Sequence, residues 1–331
     1  MPTNMQVLLA ARPKGAVRET DFRIVNTETP APKDGEMLVK IHYLSLDPYM
    51  RMRMEDVKSY AACVKLGELM VGGTVGEVVE SKNPKFAAGD RVVGPFGWQQ
   101  YAVSDGGGLR KVDARALPMS VYLGSVGMPG VTAWYGLKQI GAPKAGETVV
   151  VSAASGAVGS VVGQLAKILG CRAVGVAGGK AKCDYVVNEL GFDACVDYKA
   201  GNLHADLKAA VPNGIDIYFD NVGGEVLDTV LTLLNAFARI PLCGLISGYS
   251  AEPYPLKNYR SLLANRVKLQ GFIVSEHMEF WPEALAELGG LVASGRIKYR
   301  ESVAQGLENA PKAFMGMLKG ENFGKQLVKL V

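Results

Sequence analysis

The chain has 331 residues, of which 48% are hydrophobic and 21% charged, and its formal net charge is +4. That length exceeds one ordinary core and predicts two domains, and the balance is that of a folded globular protein. Mild charge without a Lys/Arg block argues against a nucleic-acid partner; the absence of a membrane-length apolar run and of a signal-peptide layout in MPTNMQVLLAARPKG argues for a cytoplasmic protein.

Residues 1–118 read as β-rich. Short alternating runs such as MLVKIHYLSL (Met37 to Leu46), GGTVGEVVES (Gly72 to Ser81) and DRVVGPFGWQQYAV (Asp90 to Val103) are broken by Gly, Pro and Asp. This pattern predicts a small, irregular β-barrel. Residues 119–295 alternate strands with helices. The expected strands are Thr148–Ala153, Arg172–Ala177, Ala194–Tyr198, Ile215–Asn221, Ala238–Ile246 and Leu269–Val274. Such alternation predicts an α/β domain with a doubly wound parallel sheet. Residues 296–331 close with a helix over Glu308–Lys319 and a strand over KQLVKLV, expected to rejoin the first domain.

Within the second domain, TVVVSAASGAVGSVVGQLAKILG (Thr148 to Gly170) runs from a β-branched strand through a small-residue turn into an apolar helix. Ala153, Gly156 and Gly159 occupy the three turn positions, as A-x-x-G-x-x-G. Small residues there let a pyrophosphate approach the amides and the positive end of the helix dipole. The flanking strand and helix are the context a dinucleotide fingerprint requires. An NAD-selective site would place a carboxylate at the end of the next strand, to hold the ribose 2′-hydroxyl. Here that strand ends in Gly178-Gly179-Lys180-Ala181-Lys182, and the first acid is Asp184, a turn into the following helix. Two ammonium groups suit a 2′-phosphate, so the expected cofactor is NADP(H), which also accounts for the mild basicity.

Ligands of open α/β sheets lie beyond the carboxyl ends of the strands. Those ends here are Asp220-Asn221-Val222-Gly223-Gly224, Cys243 to Ser247, and Phe272 to Val274. Asn221 has two readings, a bond to the carboxamide or a ribose, or a cap on the following helix. The three histidines (His42, His204, His277) have no Cys or His partner at ligand spacing, and no C-x-x-C occurs, so no metal site is expected. The five cysteines are odd in number, widely spaced, and read as free thiols in a reducing compartment. No G-x-S-x-G elbow supports a hydrolase. Hydride chemistry without a metal favours a carbonyl conjugated to an alkene. Hydride enters at the β-carbon, and the charge develops as an enolate that hydrogen-bond donors stabilise. Tyr49 and Tyr60 in the first domain, and Tyr249 beside the expected nicotinamide, are the candidate donors, each with the alternative of simple aromatic packing.

Several ordered blocks carry a family resemblance: YLSLDPYMRMRM (Tyr43 to Met54), VGGTVGEVVES (Val71 to Ser81), GMPGVTAWYGL (Gly127 to Leu137), AASGAVGSVVGQLAK (Ala153 to Lys167), GIDIYFDNVGG (Gly214 to Gly224), RIPLCGLIS (Arg239 to Ser247), LQGFIV (Leu269 to Val274) and GLENAPKAFMGMLKGENFGK (Gly306 to Lys325). The chain resembles the zinc-independent medium-chain dehydrogenase/reductases, in the branch of prostaglandin, alkenal double-bond and bacterial curcumin reductases. The resemblance implies a GroES-like β-barrel catalytic domain plus a Rossmann domain, NADPH as hydride donor, and a homodimer. By matching position it implies a phosphate turn at Gly156, Ala157, Val158 and Gly159, with Lys182 on the 2′-phosphate and Tyr198 near it. Asn221, Cys243, Gly244, Ile246, Ser247, Tyr249, Phe272, Ile273, Val274 and Asn322 match the remaining cofactor contacts, and Tyr49 and Tyr60 match tyrosines facing substrate. Two departures stand out. Ala264 occupies the place of a tyrosine found in prostaglandin and plant reductases, and Ser250–Leu262 is shorter than the family's Pro-rich loop. Tyr254 and Tyr259 within that loop are candidate substitutes for the missing donor. The expected activity is reduction of the C=C bond of α,β-unsaturated aldehydes or ketones; the alternatives are an NADPH:quinone oxidoreductase and a non-catalytic NADP(H)-binding protein.

Overall fold

The computed structural model describes residues 3–252 and 254–330. Pro253, in the Ser250–Leu262 loop, and Val331, at the end of the expected last strand, lie outside the described residues. The chain divides into two compact units: residues up to 123 with 301–322 and 326 onward, and residues 124–300 with 323–325.

The first unit opens with an antiparallel pair, β1 (Thr3–Leu9) and β2 (Phe22–Glu28). There follow β3 (Met37–Ser45), the short helix α1 (Tyr49–Arg53), β4 (Thr74–Ser81), β5 (Arg91–Gly94), β6 (Tyr101–Ser104) and β7 (Arg110–Lys111). β3 pairs antiparallel with β4, and its first half also takes β6. Register shifts between Leu38 and Val39 and between Ile41 and Tyr43 bend β3, as bulges do. The alternation that predicted these strands is that of a sheet with one face on a core, and Val39 and Ile41 are fully buried.

The second unit begins with α2 (Met128–Tyr135) and continues as β8 (Thr148–Ser152), α3 (Gly159–Ile168), β9 (Arg172–Ala177), α4 (Lys180–Asn188), β10 (Ala194–Asp197), α5 (Leu203–Ala210), β11 (Ile215–Phe219), α6 (Gly224–Leu231), β12 (Leu234–Leu242), α7 (Arg260–Ala264), β13 (Lys268–Gly271) and α8 (Trp281–Ala293). Its six strands are parallel, in the order β10-β9-β8-β11-β12-β13. This is the doubly wound Rossmann order, and its direction reverses between β8 and β11. All five residues of β8 are buried, the continuous apolar reading of a strand covered on both faces. α3 lies close against its neighbours because Gly163 has no side chain: a Cβ there would sit 1.8 Å from the Phe192 ring.

β8, β10 and β11 stop one or two residues short of their expected ends, and β12 and β13 stop three or four residues short. β12 was expected over Ala238–Ile246 but stops at Leu242, because the Cys243 and Gly244 amides turn back to the Asp220 carbonyl. The chain then makes a 3₁₀ turn over Ile246–Gly248. β13 was expected to reach Val274 but stops at Gly271, and Val274 opens another 3₁₀ turn.

The remaining elements, β14 (Glu301–Gln305), α9 (Ala310–Leu318) and β15 (Lys325–Lys329), complete the first unit's sheet and core. α9 is shorter than expected because Leu307–Asn309 is a 3₁₀ turn and Pro311 starts the helix proper. β15 pairs antiparallel with β3 through Leu327↔Ser45 and its neighbours. Phe314 of α9 packs edge-on against both Trp98 and Phe22, at centroid distances of 5.7 and 6.4 Å, while Trp98 stacks on Phe22 at 5.5 Å. All three rings are buried in one cluster assembled from distant parts of the chain. Phe314→Ala is therefore expected to destabilise this unit by about 3–5 kcal/mol. Urea unfolding followed by tryptophan fluorescence checks it, and an unchanged midpoint would remove Phe314 from the core.

Candidate functional site

The reversal between β8 and β11 brings Ser152, Asp220 and Asn221 together at the carboxyl ends of the two strands. The Asp220 side chain is fully buried. Its Oδ1 accepts from Tyr218 Oη (2.8 Å), Ser152 Oγ (3.2 Å), Val222 N (2.9 Å) and Gly223 N (2.8 Å). Its Oδ2 has no hydrogen-bond partner among the described residues. Burial raises its pKa above the usual carboxylate range. Asn221 reaches across the switch point. Its backbone N donates to Ser152 Oγ (2.9 Å) and its Nδ2 to the Ser152 carbonyl (2.8 Å). The capping role weighed for Asn221 is not what the geometry shows. α6 starts after Gly223 without a side-chain cap, and Asp220 takes the amides at the approach to that helix.

The phosphate turn follows β8 directly. Ala153 holds a left-handed backbone (φ 50°), and its carbonyl accepts from the Gly156 amide. A Cβ at Gly159 would lie 2.4 Å from that same carbonyl, so only glycine fits where α3 begins. Val158 is the N-cap and makes no side-chain capping bond, and Ala157 and Val158 are half-buried in the turn. Gly156 also bridges to Gly324, and Phe323 beside it packs edge-on against Tyr185 and beneath the Arg300 guanidinium, 4.0 Å from the ring centroid. This short stretch after α9 supports the turn, and nothing in local sequence signals it.

At the ends of β9 and β10 the two candidate lysines separate. Lys180 is exposed and paired with Asp184 at 2.6 Å, an i,i+4 surface pair. Lys182 is half-buried, and burial together with the neighbouring Lys199 ammonium lowers its pKa. Lys199 is a site residue that sequence reasoning passed over. Asp197 positions it, accepting from the Lys199 amide (3.0 Å) and from the Gly179 amide (2.7 Å) with one oxygen. Tyr198 is exposed beside them, and a Cβ on Gly178 would fall 2.9 Å from its ring and 3.0 Å from Lys199 Cε. Two cations near enough to feel each other's charge, next to a side-chain-free strand end, fit a phosphate monoester, whose charge would offset their repulsion.

The segment after β12 folds over the switch point. Ser247 Oγ donates to the Val222 carbonyl (2.6 Å) and Ile246 N to the Asn221 carbonyl (3.4 Å). The Tyr249 hydroxyl turns back to accept from Leu245 N (3.3 Å), 3.4 Å from where a Cβ on Gly244 would sit. Burial and the Asp220 carboxyl push the Cys243 thiol up to about 12, so it stays protonated and unreactive. After β13, Phe272 and Val274 are buried while Ile273 is only half-buried.

Tyr49, Tyr60 and Asn322 belong to the first unit, not to this cluster. Tyr49 opens α1 and leans on the core, and its hydroxyl is held well above the usual phenol range by burial, by the Asp47 carboxylate and by Tyr60. Tyr60 is exposed and near enough to Tyr49 for the two phenols to interact electrostatically. Asn322 follows α9 and lines a surface cavity with Ser302, Asn309 and Lys312. Tyr254, Tyr259 and Ala264 are all exposed. Among the described residues no three His, Cys, Asp or Glu side chains are grouped to hold a metal ion.

Fold and site together define a two-unit dehydrogenase/reductase with a dinucleotide-binding sheet. Residues 5–112 match a family model described as the N-terminal domain of oxidoreductase, and residues 157–289 one described as zinc-binding dehydrogenase. The NADPH-dependent curcumin reductase of Escherichia coli is 48% identical, over 99% of this chain and 97% of its own. The 2-alkenal reductase (NADP(+)-dependent) of Nicotiana tabacum is 42% identical, over 98% and 97%. The crystal structure of CurA in complex with NADPH from Vibrio vulnificus superposes with a TM-score of 0.95, at 48% identity and 99% coverage of both chains. The chain belongs to the medium-chain dehydrogenase/reductases, in the branch that holds the curcumin, prostaglandin and alkenal reductases.

Loss of either ammonium tests the phosphate cradle. Lys182→Ala is expected to weaken NADPH by about 1.5–3 kcal/mol, roughly 10- to 150-fold, with NADH little changed. Lys199→Ala is expected to act in the same direction with a smaller effect. Titration of both cofactors checks this, and equal loss for both would remove the assignment.

Proposed function

We propose that the protein is an NADPH-dependent reductase of the C=C bond in α,β-unsaturated aldehydes and ketones. The observation that carries this reading is the paired Lys182 and Lys199 cradle beside a complete dinucleotide turn. It occurs in a chain 48% identical to a curcumin reductase and 42% identical to an alkenal reductase over nearly its whole length. The cofactor-binding residues are Gly156, Ala157, Val158, Gly159, Lys182, Tyr198, Asn221, Cys243, Gly244, Ile246, Ser247, Tyr249, Phe272, Ile273, Val274 and Asn322, joined by Lys199. Residues 119–295 form the cofactor domain, and residues 1–118 with 296–331 the catalytic one.

NADPH, when bound, supplies a hydride to the substrate's β-carbon. The chain's part is to hold the carbonyl oxygen as negative charge grows on it. Tyr49 and Tyr60 donate to that oxygen; the raised pKa keeps Tyr49 a neutral hydroxyl, as a donor must be. Tyr249 closes the Cys243–Ser247 segment over the nicotinamide end. The α-carbon then takes a proton from solvent or from a tyrosine. With NADPH and a panel of enones, enals and quinones, the expected result is cofactor oxidation with a saturated carbonyl as product. The Tyr49→Phe/Tyr60→Phe double variant is expected to lose kcat by about 100-fold. Full activity in both single variants and the double variant would remove these donors. A hydroquinone product would make the protein a quinone reductase, and tight binding without turnover a cofactor-binding protein.

The reading extends to a cytoplasmic homodimer acting on small molecules. No helix among the described residues is long and apolar enough to cross a membrane. β13 is an edge strand of the second unit's sheet, with Leu269 exposed on it and Phe237 (65%) and Leu263 (85%) exposed nearby. An unpaired edge with apolar neighbours supports strand-to-strand pairing with a second copy. Leu269→Asp with Leu263→Asp is expected to shift the protein from dimer to monomer by light scattering; an unmoved mass would place the interface elsewhere.

A further inference from the structure

Cys183 and Cys195 meet behind the phosphate cradle. Cys183 is on α4, one residue past Lys182, and Cys195 is on β10, two residues before Asp197. The Cys195 thiol donates to Cys183 Sγ at 3.0 Å, closer than ordinary sulfur contact. Cys195 lies opposite Gly175 in the register of β9 and β10, and a Cβ on Gly175 would be 3.2 Å from its sulfur. A larger residue at 175 would push the thiol away from the helix. Both sulfurs are thus aimed at one another by the backbone, one on α4, which also carries Lys182, and one on β10, which leads into the turn that carries Lys199.

We propose that Cys183 and Cys195 are a redox modification site, oxidised by hydroperoxides to an intramolecular disulfide that weakens binding of the 2′-phosphorylated cofactor. The accepted hydrogen bond lowers the Cys183 pKa, favouring it as the attacking thiolate. It attacks the peroxide's terminal oxygen, the O–O bond breaks, and the alkoxide or hydroxide leaves with a proton as alcohol or water. Cys183 is then a sulfenic acid. The Cys195 sulfur displaces its hydroxyl, which takes the Cys195 proton and leaves as water. Two thiols have lost two electrons and two hydrogens, and the peroxide has been reduced by the same two electrons. Thiols regenerate the pair by exchange.

Closing the gap to a bond of about 2 Å draws the first turn of α4 toward β10. Lys182 rides on α4 and Lys199 on the turn after β10, and Lys182 already feels its neighbour's charge. Bringing the ammoniums together raises their repulsion and displaces Lys182 from the cradle. This second step rests on the phosphate reading of the preceding subsections; the disulfide itself does not.

The test treats the full-length protein with hydrogen peroxide, then blocks free thiols. Residues 183–199 form one tryptic peptide with no internal Lys or Arg. The proposal expects that peptide to be lighter by two hydrogens, to carry no label, and to stay joined after cleavage at Glu189. It further expects NADPH affinity to fall about fivefold or more with NADH unmoved, both reversed by dithiothreitol. Cys183→Ser and Cys195→Ser should each bind NADPH as the reduced protein does and lose the response to peroxide. Full labelling of both cysteines in treated, folded protein would overturn the proposal. So would a disulfide that leaves the NADPH-to-NADH ratio unchanged while Lys182→Ala in reduced protein alters it. If Lys182→Ala is itself without selective effect, the phosphate reading fails, and the mapped disulfide still stands or falls on the peptide alone.

Discussion

Four hydrogen bonds converge on a single oxygen of Asp220, and the second unit is organised around that point. Two of the donors, Tyr218 and Ser152, come from the adjacent strands β11 and β8, and the other two are amides of the turn that leads into α6. The backbone carbonyl of the same residue catches Cys243 and Gly244 as β12 ends. One buried residue therefore joins three strands at the place where the sheet's order reverses. A buried carboxyl with one oxygen unsatisfied is costly to maintain. Its hydrogen bonds turn that cost into geometry: the turn after β11 and the turn after β12 have their starts set by one side chain.

Around that anchor the groups proposed to face the cofactor are mostly backbone or small side chains, and the reason is steric. Gly159 fits only because nothing projects toward the Ala153 carbonyl, and Gly178 leaves space that Tyr198 and Lys199 line. Charge is confined to the far end, where β9 and β10 finish. Asp197 commits one carboxylate oxygen to two amides, and Lys199 lies near enough to Lys182 for its charge to be felt there. The division suits the proposed site: neutral, close-fitting surface for a pyrophosphate and ring systems, and positive charge where a 2′-phosphate would distinguish two nearly identical cofactors.

Much of this was legible in the sequence because parallel strands and glycine turns leave strong local signatures. TVVVS is buried at every position, with three valines at its centre, since β8 is covered on both faces, and the strand-turn-helix context of Ala153, Gly156 and Gly159 followed from it. The lack of an acid after β9 pointed to the lysines, and the resemblance singled out Lys182 over Lys180. What stayed hidden depends on contacts between distant residues. Lys199 became visible only once β10 lay beside β9. The ends of β12 and β13 were overestimated because the apolar pattern continues through Ile246 and Val274, while the chain there turns into 3₁₀ structure over Ile246–Gly248 and Val274–Glu276. For Asn221 the sequence left a cofactor contact and a helix cap as equal readings, and its neighbour Asp220 had the burial to take the amides instead. The support of the phosphate turn by Phe323 and Gly324 had no local cue at all.

The core of the first unit carries a consequence for how the chain is made. Phe22 and Trp98 emerge early from the ribosome, but their third partner, Phe314, and the strand β15 that pairs with β3 are synthesised much later. At about 5–20 residues per second, the amino-terminal segment waits some ten seconds or more with an incomplete aromatic cluster and an unpaired strand edge. Meanwhile the Rossmann sheet, contiguous apart from three residues, has nearly everything it needs to fold. Folding order is thereby inverted relative to synthesis order. The earlier segment is the one left exposed to chaperones and to wrong partners until α9 and β15 have been made.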